Sequence, residues 1–339
     1  MLKHNCMIEP LENRRLLSAT NGEDPTAVAF PESFDKMPAA PRARFEGYNV
    51  VVGEKMYAMG GFDSQFKTIP DIDVYDSATA NWTTIQSEIP AAETHAGHAV
   101  DGSSIYFAGG YVGELGDGRE QPVTRRVWRY DTATNTWDDV AQLPGGRGGG
   151  ALVRVGRELH YFGGCLADRV TNSGAHWMLN LGKRSGGSDD STEWIRRPAM
   201  PSPRDHFSAV AVDDRIYALG GEYGHDVEHA QSRLVHAFDT GSGKWIRLAD
   251  MSVARSHMES ATFEYDGRIV VAGGQVEDYQ ATGVVEEYDI LANTWSRKSP
   301  LPEARQGGAV LKIGDTLIIA LGGTQTNEPK DSVWEGLFR

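Results

Sequence analysis

Six times in this chain a short apolar run ends on two adjacent glycines. The runs close on Gly60-Gly61, Gly109-Gly110, Gly163-Gly164, Gly220-Gly221, Gly273-Gly274 and Gly322-Gly323, as in Ile216-Tyr217-Ala218-Leu219-Gly220-Gly221. The second glycines lie 49, 54, 57, 53 and 49 residues apart. A period near fifty is the mark of a repeat architecture, in which each unit is one small element that buries its apolar face only against its neighbours. The 39 glycines of the 339 residues are therefore not a flexible or collagen-like excess, because they carry no three-residue period.

A second landmark follows the glycines. Tyr75, Tyr130, Phe238 and Tyr288 each precede a tryptophan by seven residues (Trp82, Trp137, Trp245, Trp295), and each is followed by an aspartate. Unit three keeps the pieces but stretches them, from Leu179-Asn180 through an insertion at Gly182 to Thr192, on to Trp194. Each unit reads as four strands: one such as Ser208–Val212, a tight turn at Asp213-Asp214, a second strand ending at the glycines, a variable loop, a third strand ending on Tyr-Asp, and a fourth opening on Trp. No segment keeps a 3.6-residue apolar period, so the class is all-β. Wedge-shaped sheets packed round an axis need close backbone approach near the centre, which glycine permits, and large rings where they diverge.

The Gly-Gly, Tyr-Asp and Trp pattern resembles the kelch repeat over residues 27–339, and six copies imply a six-bladed β-propeller. The sixth unit has a third strand near Ser332-Val333-Trp334, and only five residues follow Trp334. Its fourth strand must come from elsewhere. Met37-Pro38 matches Leu143-Pro144, Met200-Pro201 and Leu301-Pro302, which end other fourth strands, so residues 28–38 are expected to complete the last blade. The domain is then 28–339, preceded by a leader at 1–27. Within that leader, Leu11-Glu12-Asn13-Arg14-Arg15-Leu16-Leu17-Ser18-Ala19 resembles a short motif near the N-termini of planctomycete exported proteins. The resemblance implies a bacterial protein exported to the cell surface or beyond. No apolar h-region accompanies it, so a cytoplasmic location stays open.

Chain direction brings the entries to the first strands and the loops after Gly-Gly to one rim. Sixteen residues before the first glycine of each pair stand Arg44, Glu93, Arg147, Arg204, His257 and Gln306, with Arg305 beside the last. Fourteen before stand Glu46, His95, Gly149, His206, Glu259 and Gly308. Even spacing along a strand places both sets on one side, with the register open by one or two residues in units five and six. The loops add Phe62, Asp63, Tyr111, Glu222, Tyr223, Gln275 and Tyr279. The expected binding site is thus an Arg- and His-rich mouth made of Arg44, Glu46, His95, Arg147, Arg204, His206, His257 and Arg305, with Tyr111, Glu222 and Tyr223 around it. Arginine suits carboxylates and histidine switches charge near neutrality. The bland alternative is that each arginine caps carbonyls between blades.

No catalytic residue, metal site or cofactor is expected. His95 and His98, three apart, fall on opposite faces of a strand. His225, Glu228 and His229 are metal-ligating types within one loop that reads as solvated. Cys165 has no evident partner histidine, and no Gly-x-Ser-x-Gly, P-loop or zinc-cysteine pattern occurs. With 47 acidic against 33 basic residues, net −14, nucleic acid is a poor partner, and no run is long and apolar enough to span a bilayer. The reading is a monomeric, non-catalytic module that binds a protein, peptide or carbohydrate, anionic if the mouth is basic. Kelch propellers commonly serve as protein-interaction platforms, so the resemblance points the same way. The alternative, also by resemblance, is an enzyme like the sialic-acid mutarotases (N-acetylneuraminate epimerases), which use Glu and Arg in the central pocket of six-bladed kelch proteins. Glu46, Glu93, Glu222 and Glu259 are the candidate acid-base groups for it.

Overall fold

The computed structural model describes residues 28–86, 89–90, 93–113, 123–182, 193–225, 230–325 and 328–339, Glu93 by its backbone alone. The leader at 1–27, with its Arg-Arg motif, and the insertion at 183–192 lie outside the described residues. Six four-stranded antiparallel sheets follow one another round an axis, the six-bladed propeller expected. Blade 1 holds Tyr48–Val52, Lys55–Met59, Ile72–Asp76 and Asn81–Ile85; blade 2 holds Gly97–Asp101, Ser104–Ala108, Val127–Asp131 and Thr136–Asp139. Blade 3 holds Ala151–Val155, Glu158–Phe162, His176–Asn180 and Ile195–Arg197; blade 4 holds Ser208–Val212, Arg215–Leu219, Val235–Asp239 and Lys244–Arg247. Blade 5 holds Thr262–Tyr265, Arg268–Ala272, Val285–Asp289 and Thr294–Arg297. The first strands pack against one another round the axis, and the last, Ala309–Ile313, returns to the first.

The repeated seven-residue offset is a hairpin register. Tyr75 faces Trp82, Tyr130 faces Trp137, Phe238 faces Trp245 and Tyr288 faces Trp295 across the third and fourth strands. The paired ring centroids stand 4.8–5.2 Å apart, the spacing at which aromatic pairs attract beyond simple burial. The aspartate after each aromatic turns the chain: Asp131 Oδ1 accepts from Ala133 N at 2.9 Å and Asp289 Oδ1 from Ala292 N at 2.8 Å, the Asx turn that such a side chain favours. The tryptophans also tie blade to blade. The indole N–H of Trp194 donates to Ala141 O (2.7 Å), that of Trp245 to Pro198 O (2.9 Å) and that of Trp295 to Ala249 O (2.9 Å), each acceptor on the preceding blade.

Blade 6 is built from both ends of the described chain. Asp35–Met37 pairs antiparallel with Val333–Leu337, outside Thr316–Ala320 and Ala309–Ile313. Ala29 N donates to Arg339 O at 2.6 Å and Arg339 N to Ala29 O at 3.2 Å. The strand that the count of residues required is the one that closes the ring.

In blades 2 to 5 the second glycine of the pair, and in blade 6 Gly322, has a fixed job: its N–H donates to the carbonyl of an arginine on the next blade. Gly110 bonds Arg147, Gly164 bonds Arg204, Gly221 bonds Arg255, Gly274 bonds Arg305 and Gly322 bonds Arg44, at 2.6–3.0 Å. The first glycine makes room for this. At Gly220 the backbone is left-handed (φ 63°), and a Cβ there would stand 2.5 Å from Arg255 O. These bonds give the true frame of the repeat and correct the count in two units. In blade 5 a turn closed by Ala261 N to Met258 O (3.0 Å) adds two residues, so Arg255, not His257, is the counterpart of Arg204. In blade 6 Leu321-Gly322 (φ 60° and 75°) takes the place of the glycine pair, which moves the frame from Gln306 to Arg305.

Candidate functional site

The arginines do not form the mouth. Arg204, with no exposed surface, donates to Gly220 O (2.5 Å), Ser202 O (3.1 Å) and Ala218 O (3.2 Å), and more weakly to Pro201 and Leu234. Burial lowers its pKa to about 10, still far above neutrality. Arg44 bonds Gly60 O (3.0 Å) and pairs with Asp73. Arg255, overlooked in the sequence count, bonds Val284 O (2.8 Å), Gly273 O (3.0 Å) and Glu286 (2.8 Å). Arg147 lies over the Trp177 ring at 4.9 Å and Arg305 over Trp334 at 5.0 Å, the latter bonded to Ser332 and Glu303. The carbonyl-capping alternative describes Arg44, Arg204 and Arg255. The cause is a backbone inversion. Two residues after each arginine the chain is left-handed, which breaks the side-to-side alternation on which the expected shared face depended.

Those inverted residues make the mouth instead. They are Glu46, His95, Gly149, His206, His257 and Gly307, one per blade, with φ between 48° and 64°. Glu259 and Gly308 belong one step farther along the axis. A belt of backbone bonds joins them: Gly149 N to His95 O, His206 N to Gly149 O, His257 N to His206 O, Gly307 N to His257 O and Glu46 N to Gly307 O, all 2.8–3.1 Å. A left-handed peptide turns its N–H and C=O sideways, toward the adjacent blades, while its side chain faces the axis.

The side chains within this belt form a buried charge network. His95 Nε2 lies 3.1 Å and His257 Nε2 3.5 Å from the Glu46 carboxylate. The imidazole of His206 stacks on His257 (4.3 Å between centroids) and on His225 (4.9 Å). Burial opposes charge on Glu46, yet the flanking histidines hold it down at about 2. Burial lowers His257 to about 4 and lowers His95 despite its carboxylate partner. For His206 burial again disfavours the cation, but the Asp205 hydrogen bond and the charges of Asp205, Glu222 and Glu259 prevail and lift it to about 10. Burial raises Glu222, and the surrounding histidines overcome this and depress it.

Below the belt the axis encloses about 40 Å³, lined by Glu46, His95, His98, His206, His257 and Glu259. His98 thus shares a face with His95, contrary to the strand alternation expected, because the left-handed His95 precedes the strand that begins at Gly97. Burial raises Glu259 to about 7 and lowers His98 to about 4. The opposite end of the axis widens to about 420 Å³ among Val50, Val100, Leu152, Val210, Phe263 and Leu311.

The loop residues divide. Tyr111, Phe62, Glu222 and Gln275 are buried rather than presented. Tyr111 packs parallel to His225 (5.8 Å) under the Arg169 guanidinium (4.6 Å). Asp63 caps its own loop through Gln65 N and Lys67 N. Tyr223 is half-buried and Tyr279 is 46% exposed. Cys165 is buried, its thiol pushed up to about 12 by burial and by Asp205, which makes it a poor nucleophile. His225 lies in the network, while Glu228 and His229 lie outside the described residues. Sequence reasoning passed over Asp205, Ser256 and Asn172, which carry no repeat signal and join the site through the loop bridges Asp205–Glu222, Ser256–Gln275 and Cys165–Asn172.

The model of a KLHDC2/KLHL20/DRC7 Kelch-repeats domain matches residues 102–323, and that of the Kelch motif matches 49–87. Kelch-like protein terF of Aspergillus terreus is 29% identical over 84% of this chain and 62% of its own length. A kelch repeat-containing protein of Arabidopsis thaliana is 26% identical over 85% of this chain and 70% of its own. Kelch-like protein 25 of Xenopus tropicalis is 30% identical over 78% of this chain, which spans 42% of that relative.

Proposed function

The chain belongs to the kelch-repeat family, and from that premise we propose that it is a protein-binding module which receives its partner on the loop face of the propeller. One observation carries the reading. The axis is sealed there by the belt and its charge network, while loops of separate blades present apolar and aromatic surface around it. Tyr279 and Val170 are 46% and 42% exposed, and Phe66 and Tyr223 are half-buried beside their loops. Rigid aromatic anchors on a fixed scaffold, with polar surroundings, are what macromolecular interfaces use.

A sugar acid is the alternative ligand. Small-molecule sites usually enclose about 300–1,000 Å³, against about 40 Å³ under the belt. The arginines that would clasp a carboxylate are engaged with carbonyls, side-chain acceptors or tryptophan faces. The reading also takes the chain to be a monomer, which light scattering tests, and to be exported, which fractionation of the source cells tests.

The direct experiment uses immobilised chain and extract of the source cells. Wild type is expected to retain a discrete protein that the variant Val170→Asp/Tyr223→Asp/Tyr279→Asp does not, at unchanged melting temperature. Retention by both, or saturable binding of N-acetylneuraminate in calorimetry, overturns the proposal.

A further inference from the structure

On the loop side of blade 4, four ligand-type side chains meet in a buried cluster. Asp205 and Glu222 face each other across a single backbone bridge, Asp205 N to Glu222 O (3.1 Å) and Glu222 N to Asp205 O (2.8 Å). His206 follows Asp205, and His225 sits on the turn three residues past Glu222. All four are buried. We propose that Asp205, His206, Glu222 and His225 form a closed divalent-metal site of two imidazole nitrogens and two carboxylate oxygens, suited to Zn²⁺.

The four ligand atoms lie within 4.8 Å of one another, and two of their separations already match such an ion, so that the others need shifts of a few tenths of an ångström or more. His206 Nδ1 lies 3.6 Å from Glu222 Oε1, and His225 Nδ1 lies 3.5 Å from Glu222 Oε1 and 3.9 Å from Asp205 Oδ1. Tetrahedral zinc, with bonds of about 2.0–2.2 Å, holds its ligand atoms roughly 3.3–3.6 Å apart. The fourth separation, His206 Nδ1 to Asp205 Oδ1 at 2.7 Å, is a hydrogen bond. It opens when the ion takes the place of that proton. Mixed imidazole and carboxylate donors favour zinc over the all-oxygen preference of calcium and magnesium.

The surroundings aim the same atoms inward. The outer oxygen of Asp205, Oδ2, accepts from Asn172 Nδ2, and Asn172 Oδ1 accepts from Gly224 N (3.3 Å). The outer oxygen of Glu222, Oε2, accepts from Ser256 Oγ (2.9 Å) and Gln231 Nε2 (3.2 Å). Each carboxylate is thus held by one oxygen and offers the other to the centre, the usual outer support of a metal centre. Two buried carboxylates at one point also need positive charge, which a divalent ion supplies in full.

Two contacts oppose the ion. The His206 and His225 rings lie parallel, 8° apart with centroids at 4.9 Å, and must tilt to aim both Nδ1 lone pairs at one point. Arg169 NH2 lies 3.2 Å from His225 Nε2. Coordination through Nδ1 leaves the ring proton on Nε2, facing that guanidinium, so Arg169 must swing away. It sits on a turn over Tyr111, outside the Asp205–Glu222 bridge. Arg169 therefore weakens the site, and its removal strengthens it.

The test is zinc titration of the full chain, stripped by chelator, in competition with a chromophoric chelator, beside Co²⁺ absorption spectra. One equivalent of Zn²⁺ is expected, with the intense visible bands of tetrahedral Co²⁺ and a melting temperature that rises with zinc. Glu222→Gln and His225→Asn should each weaken binding about 100-fold or more, and Arg169→Gln should tighten it several-fold. Absence of a tight equivalent, an octahedral Co²⁺ spectrum, or unchanged affinity in His225→Asn overturns the proposal. Circular dichroism checks each variant. Should the Glu222 variant fail to fold, the wild-type spectrum and the Arg169 variant decide.

Discussion

Replacing Arg204 discriminates between an arginine that waits for a ligand and one that holds a blade together. Its guanidinium has no exposed surface and satisfies the carbonyls of Gly220, Ala218 and Ser202 at 2.5–3.2 Å, while lying 5.4 Å over the Phe207 ring. Arg204→Ala removes these donors together. Each buried acceptor left without a partner costs about 1–3 kcal/mol, and the first two of these lie at the buried end of the side chain. Water entering the space left behind recovers part, and release of a buried cation recovers more. The expected loss is about 3–4 kcal/mol. Arg204→Lys keeps the charge but only a point of three donors in place of the planar fork, and should lose roughly half as much. Urea unfolding followed by tryptophan fluorescence measures both, since Trp245 lies in the same blade. A loss below about 1 kcal/mol for Arg204→Ala at unchanged m value, or a lysine variant equal to wild type, would refute the reasoning and return Arg204 to the ligand.

Three further outcomes follow from other contacts. Deleting residues 28–38 removes the Asp35–Met37 strand and bares the edge of Val333–Leu337, so the shortened chain should form large assemblies by light scattering where the full chain does not. Gly220→Ala drives a Cβ to 2.5 Å from Arg255 O at φ 63° and should cost about 2–3 kcal/mol in the same unfolding assay, more than the usual penalty of a left-handed alanine. Glu259, partly exposed to the channel, has its folded pKa raised by burial to about 7 from an ordinary 4.5. The folded state therefore holds this proton longer than the unfolded one. The associated stability is complete below pH 4.5 and is lost as pH rises through 7, by about 1–3 kcal/mol. Glu259→Gln should flatten that part of the stability profile.

The architecture was legible because the same physical demands recur in every blade. Tyr75 and Trp82 repeat as Tyr130 and Trp137 because one hairpin register is reused, and the missing fourth strand of blade 6 followed from counting. The site was less legible because it depends on departures from the repeat. A two-residue turn at Met258–Ala261 and a leucine at position 321 in a glycine's place displaced the count. The left-handed His206 and His257 set Arg204 and Arg255 against buried carbonyls and turned the imidazoles to the axis. Tyr111 and Glu222 looked like presented loop residues, yet short bridges fold their loops inward. No composition signal marks that change. Asp205 was invisible for a related reason: its partner Glu222 lies across a single backbone bridge that no strand pattern announces.

The belt of backbone bonds has an electrical consequence. Each peptide unit carries a dipole of about 3.5 D, and in a helix these units align head to tail along one line. Here the five observed bonds run tangentially from blade to blade round the axis. Vectors arranged head to tail on a circle cancel, so the scaffold imposes little fixed field on its own centre. The polarity of that centre is set by the single side chain each blade donates: a carboxylate at 46, imidazoles at 95, 206 and 257, and nothing beyond hydrogen at 149 and 307. Exchanging the four side chains at 46, 95, 206 and 257 would therefore reset the potential at the axis, whereas Gly307 must stay, since a Cβ there would stand 2.8 Å from Glu46 N in the hoop itself.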